Sequence, residues 1–272
     1  MTEKEELIAK LKERIAKDQR LIEELSGGAG EAVETAWQIE KRVMGKKKQP
    51  KMLTGVQWLD DKTGGIQRGT FINLAGGSFS GKSTLVLKIL ANISEYKPTC
   101  FFSFEMYEDK LINKIKHLSQ KQKENIYVVQ KEYRLDSVDA IIRQKAKDGV
   151  LFFAIDSRMK ISVSITGKEY EKISYLSNHL SKLCQELGII IILINQISEE
   201  DLRNGRLSLK GSGDQYYDSD MILFITVKKE KGSDEERRIC FCEKDRDGEK
   251  KWRVDITDSP ACVEVVYEMP NV

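Results

Sequence analysis

FINLAGGSFSGKSTLVLKILANI, residues 71–93, sets two apolar patterns on either side of a glycine-rich turn. FINLA is a short apolar run suited to a buried strand, and STLVLKILANI carries the spacing of a helix. Between them, Gly76-x-x-x-x-Gly81-Lys82-Ser83 fits the phosphate-binding loop in full. Such a loop points successive backbone N–H groups and a helix N-terminus at phosphate oxygens. Gly76, Gly77, Ser78, Phe79, Ser80, Gly81, Lys82, Ser83 and Thr84 are therefore the expected nucleotide contacts. Lys82 is expected to neutralise the β and γ phosphates of ATP, and the Ser83 hydroxyl to ligand Mg²⁺.

A phosphate loop needs an acid at the end of a neighbouring apolar strand. VLFFAID (150–156) supplies Asp156, expected to hold Mg²⁺ through its water shell. FFSFE (101–105) puts Glu105 at the end of another strand, where parallel sheets gather ligands. On spacing alone Glu105 is as readily a surface acid as a group that positions water.

Working outward, strand-like runs occur at 71–75, 100–104, 126–129, 150–155, 189–195 and 221–227. Helical patterns fall at about 82–95, 107–119, 135–147 and 169–187. This alternation predicts an α/β domain over 52–272, with a mostly parallel sheet flanked by helices. Segments 238–246 and 249–256 flank Asp247-Gly248, a turn signal that predicts a C-terminal β-hairpin. Residues 1–51 read as an N-terminal helical segment ending in the basic linker GKKKQPK. An amphipathic helix is expected over 3–25 and a second over about 31–44. Either suits oligomerisation, partner contact or folding back on its own core.

Composition bounds the rest. The 45 basic and 43 acidic residues nearly balance, so any nucleic-acid surface must be local. The longest apolar run, 189–194, is too short to span a bilayer, and MTEKEELIAK lacks an export core, so a cytoplasmic protein without membrane contact is expected. Five cysteines in no metal-ligand spacing read as reduced, structural thiols. His117 and His179 each sit in a helical pattern and read as surface or packing residues.

Several segments together resemble the DnaB-type hexameric replicative helicases, including the helicase halves of phage primase-helicases. TGVQWLDDKTGG (54–65) looks like that family's opening motif, FFSFEM (101–106) like its segment bearing the catalytic base, and AIDS (154–157) like its strand-final acid. IILINQIS (191–198) is similar to the strand whose Gln senses the γ-phosphate. LSLKGSGDQYYDSDMILFI (207–225) looks like its DNA-loop segment, and EKDRDG (243–248) like its KxR motif. Ser157-Arg158 departs from the family's usual Tyr-Leu, and Lys210-Gly211 from an Arg-Glu common in bacterial members.

The resemblance implies a RecA-like core with ATP bound between neighbouring copies of a homo-oligomer, a hexamer in this family. One copy offers Lys82, Ser83, Glu105 as base, Asp156 and Gln196; the next offers Lys244 and Arg246. Read without the family, Lys244 and Arg246 are solvated charges before a turn. Single-stranded DNA is expected to meet Lys160 after the Asp156 strand. It is also expected to meet Arg203, Arg206, Lys210 and the Gly211-Ser212-Gly213 turn. Gly and Ser there let backbone amides approach phosphates. A primase or loader is an implied partner. A recombinase of the RecA/RadA type, or a KaiC-like or loader-type regulatory ATPase without unwinding, is the competing reading of the same core.

Overall fold

Strand β1 (Phe71–Gly76) is buried along its whole length, as a strand covered by helices on both faces must be. The computed structural model describes residues 34–44, 50–198, 201, 204, 207, 209, 214–229, 236–248 and 251–257. The chain divides into two units, Met1–Gln49 and Pro50–Val272. In the first, Ala36–Met44 is helical, with Trp37, Ile39 and Val43 exposed. The expected helix over 3–25 and the lysines of the basic linker at 46–48 lie outside the described residues.

In the second unit β1 is joined by β2 (Thr99–Ser103), β3 (Ile126–Val129), β4 (Phe152–Asp156), β5 (Ile190–Gln196), β6 (Met221–Lys229), β7 (Glu236–Asp245) and β8 (Trp252–Asp255). They form one sheet in the order β3-β2-β4-β5-β1-β6-β7-β8. The first six in that order pair parallel; β7 and β8 close the edge antiparallel.

Alternation along β1 assigns its two faces. Ile72 and Leu74 join Ile192, Ile194, Leu223 and Ile225 against Val86, Ile89 and Leu90 of the helix Lys82–Ser94. Phe71 joins Phe102, Phe153, Ile155 and Leu193 on the other face, against Val138 and Ile142 of Leu135–Lys147 and Leu176 and Leu180 of Glu169–Leu187. Gly188, at φ 60°, ends the last helix in the left-handed conformation that glycine adopts without strain. The opening TGVQWLDD segment is structural here. The Asp60 carboxylate accepts from Thr54 N, Thr54 Oγ1 and Gly55 N, all within 2.9 Å, and fixes the short helix Gln57–Thr63 beside the core.

Two expectations shift. The pattern over 107–119 is one helix only to Ile115, leaving His117 in the turn that follows. Ser119 then caps a separate helix, Gln120–Glu124, through a reciprocal capping box with Gln122. Cys100, Cys184, Cys240 and Cys242 are buried free thiols. No helix among the described residues is long and apolar enough to cross a membrane.

Strand direction fixes the two edges of the sheet. Ile72 lies beside Met221 and Gly76 beside Ile225. Because β7 runs the other way, Met221 pairs with Asp245 and Ile225 with Cys240. The end of β7 therefore lies about 13 Å along the strands from the edge where β1 ends, at roughly 3.3 Å per residue.

Phe153 is fully buried between helices and sheet. Phe153→Ala should lower stability by about 3–5 kcal/mol, read as a lower urea midpoint with an unchanged slope.

Candidate active site

The loop after β1 is shaped by contact with β6. A Cβ on Gly76 would lie 2.5 Å from the Ile225 carbonyl oxygen, so the backbone passes where no side chain fits. Gly81, at φ 97°, turns the chain into the helix that begins at Lys82. Phe79 holds φ 58° at the loop and is 97% exposed.

Lys82 is buried, and its Nζ donates to the carbonyls of Gly76 (3.0 Å) and Gly77 (2.6 Å). Burial pushes its pKa down, against the pull of Asp156 and Glu105. The Ser83 hydroxyl donates to Asp156 Oδ2 at 2.6 Å. Burial pushes the Asp156 carboxyl up; the Ser83 hydrogen bond opposes this, Glu105 adds to it and Lys82 opposes it. A half-buried hydroxyl beside a buried carboxylate offers two hard oxygen donors, and a dication would relieve the desolvated carboxylate, so the donor set fits Mg²⁺. The ammonium held on loop carbonyls likewise fits a phosphate that would replace them.

Glu105 follows β2, held to β4 by the Phe104 N–H to Asp156 carbonyl bond of 2.8 Å. Its Oε1 accepts a hydrogen bond from the Ser157 hydroxyl, and Ser157 is fully buried. Gln196 ends β5 in register with Gly76, and the next N–H, of Ile197, donates to the Gly76 carbonyl at 3.1 Å. Lys82, Ser83, Glu105, Asp156 and Gln196 thus converge on the carboxyl edge of β1, β2, β4 and β5. A cleft of about 930 Å³ extends from Glu105 and Gln196 past Tyr107, Tyr133, Met159 and Lys160.

Lys244 and Arg246 stand at the other edge. Lys244 Nζ donates to the carbonyls of Tyr216 (2.6 Å) and Tyr217 (3.2 Å). Burial, then Arg246, pushes the Lys244 pKa down. Arg246 donates to the Tyr217 carbonyl at 2.9 Å and pairs with Asp220 at 2.8 Å. Arg203, Arg206, Lys210, Gly211, Ser212 and Gly213 lie outside the described residues.

Sequence reasoning missed Ser157 as a partner of Glu105, although its place directly after Asp156 was visible. It also missed Asp220 and three buried polar residues, Asn73, Asn195 and Ser219. Polar residues inside FINLA and IILINQ were the available signal.

The model of the DnaB-like helicase C-terminal domain family matches this sequence over residues 52–128 and 112–257. The chain belongs to that family. A replicative DNA helicase DnaB of Buchnera aphidicola (subspecies Baizongia pistaciae) is 27% identical over 210 residues, covering 63% of this chain and 45% of the relative. The chain spans about half the length of the curated relatives it matches. Among solved structures, a DnaB-like replicative helicase described with its interactions with primase aligns with a TM-score of 0.67 at 21% identity. That alignment covers 93% of this chain and 73% of the other. A KaiC-like protein of Pyrococcus horikoshii aligns with a TM-score of 0.60 at 20% identity, covering 75% and 93%. These structural likenesses carry the RecA-like fold, and the family match over 52–257 separates this chain from the KaiC-like branch.

The Ser157–Glu105 contact yields a direct test. A hydrogen bond to a charged group contributes about 1.5–3 kcal/mol. Ser157→Ala should therefore lower kcat for ATP hydrolysis by about tenfold or more, with KM little changed, and Ser157→Thr should recover most of it. Steady-state ATPase kinetics of the two variants measure both.

Proposed function

We propose that the chain is the motor of a ring-forming, ATP-driven DNA helicase that acts on single-stranded DNA in replication and hydrolyses ATP between neighbouring copies. The observation that carries this is the two-edged geometry. Phosphate-loop and acidic groups share one edge, while Lys244 and Arg246 sit about 13 Å away along the strands, at roughly 3.3 Å per residue. They are too far to serve their own loop, and the Tyr216 and Tyr217 carbonyls and Asp220 hold them at the edge where another copy's loop could meet them. Membership of the DnaB-like family supports the helicase over a recombinase or a regulatory ATPase.

In this reading the loop amides and Lys82 bind the phosphates, with Lys82 exchanging its bonds to Gly76 and Gly77 for phosphate oxygens. Ser83 and Asp156 would hold Mg²⁺, which would neutralise phosphate charge. Glu105 accepts the proton of the attacking water, oriented by Ser157. Gln196 hydrogen-bonds the γ-phosphate from the end of β5. Lys244 and Arg246 of the next copy bring positive charge to the phosphoryl group only when the two copies close. Hydrolysis then depends on assembly, and a hexamer is the proposed form.

DNA is held through its backbone, so that any sequence can be moved. Lys160, exposed at the cleft, is one proposed contact. Arg203, Arg206, Lys210 and the Gly211-Ser212-Gly213 turn are the others. A primase or a loader is the proposed protein partner.

Glu105→Gln should lower kcat by about 10²–10⁴-fold with nucleotide affinity retained. Lys82→Ala and Arg246→Ala should each be inactive alone. Mixed in equal amounts they should regain turnover, because in a ring with head-to-tail contacts about a quarter of interfaces join an intact loop to an intact Arg246. ATPase and forked-duplex unwinding assays of the mixtures decide this. Inactive mixtures would show that Arg246 does not act across the interface, and ATPase without unwinding would sink the helicase reading.

A further inference from the structure

Three polar side chains are buried in the sheet where the nucleotide site does not use them. Asn73 and Ser219 are 0% exposed and Asn195 is 2% exposed. Asn195 Nδ2 donates to Asn73 Oδ1. Asn73 Nδ2 donates to Ser219 Oγ at 2.6 Å, and the Ser219 hydroxyl donates to the Gln215 carbonyl. All three bonds point the same way, from β5 across β1 into the short helix Asp214–Asp218. Breaking any one of them leaves a desolvated polar group, so the elements they join move together.

The two ends of this chain differ. Asn195 directly precedes Gln196, at the nucleotide edge. Ser219 directly precedes Asp220, whose carboxylate accepts from Phe71 N at 2.9 Å and pairs with Arg246, and whose carbonyl accepts from Arg246 N at 2.9 Å. The same short helix offers the Tyr216 and Tyr217 carbonyls that hold Lys244 and Arg246. One buried path therefore runs from the residue beside Gln196 to the support of both distant cations.

We propose that Asn195, Asn73 and Ser219 are positioning residues that couple a copy's own nucleotide edge to the Lys244–Arg246 pair it presents to the next copy. This rests on the reading that the pair acts in trans. A displacement of the end of β5 on meeting a γ-phosphate is carried through Asn73 to Ser219 and Asp220, and it shifts the carbonyls that aim Lys244 and Arg246. Each site in the ring thereby learns the state of its neighbour.

The test is the ATP-concentration dependence of hydrolysis by the assembled protein with single-stranded DNA. Two variants are compared with wild type: Ser219→Ala, which removes one link, and the triple Asn73→Leu, Asn195→Leu, Ser219→Ala. The triple replaces all three polar side chains together and so leaves no orphaned side-chain donor. Wild type should show a Hill coefficient above 1, and both variants should fall to about 1, the value of independent sites. Half-saturating ATP should stay within about twofold, a difference of roughly 0.4 kcal/mol. The Lys82→Ala and Arg246→Ala mixtures should still regain turnover when they also carry Ser219→Ala. An unchanged Hill coefficient in Ser219→Ala, or a wild-type value already at 1, overturns the proposal even if the triple variant does not fold. Failure of the mixtures in the wild-type background overturns the trans reading instead.

Discussion

The close pass of Gly76 against the Ile225 carbonyl is the contact on which the site depends. It fixes where β1 stops relative to β6, and the phosphate loop must start from that point. Parallel pairing then brings the ends of β2, β4 and β5 to the same edge, which delivers Glu105, Asp156 and Gln196 without any of them being near in sequence. The reversal into β7 has the opposite consequence. It carries Lys244 and Arg246 to the far edge, away from the phosphate loop.

The charges at the loop are arranged for a ligand. Lys82 and Asp156 are both buried, and burial works against the charged form of each. Backbone carbonyls and the Ser83 hydroxyl satisfy their hydrogen bonds but offer no full counter-charge. Lys82 and Asp156 partly offset each other's charge, and in the proposed reading phosphate and a divalent cation would relieve the desolvation that remains on each. Glu105 lies between them in function. Its Oε1 accepts from the Ser157 hydroxyl, which fixes the orientation of the side chain.

Much of the fold was legible because its signals are local. Apolar runs of strand length alternating with helical spacing predicted all six parallel strands to within two residues at each end, and the phosphate loop announced itself through eight consecutive positions. The break at Ile115 was written in Ser119-x-x-Gln122, but a continuous helical pattern across it carried more weight. Asp214–Asp218 is a five-residue helix, too short for any periodicity to report. The site was legible only in part. Glu105 is held by Ser157, 52 residues away in the chain and adjacent only once β2 and β4 pair. Asn73 and Asn195 look like flaws in apolar strands until register brings their side chains together.

That register gives β1 a double role. Its carboxyl end becomes the phosphate loop, while at its amino end the Phe71 N–H donates to the carboxylate that holds Arg246. Midway, Asn73 ties it to β5 on one side and to Ser219 on the other. A fully buried strand paired with a neighbour on each side has little room to slide, because its side chains are packed against both layers. The phosphate-loop edge and the Lys244–Arg246 edge are therefore joined through one buried strand. In the proposed coupling, a change at one edge is felt at the other through the bonds that tie this strand to β5, Ser219 and Asp220, on which the short helix and the two cations are braced.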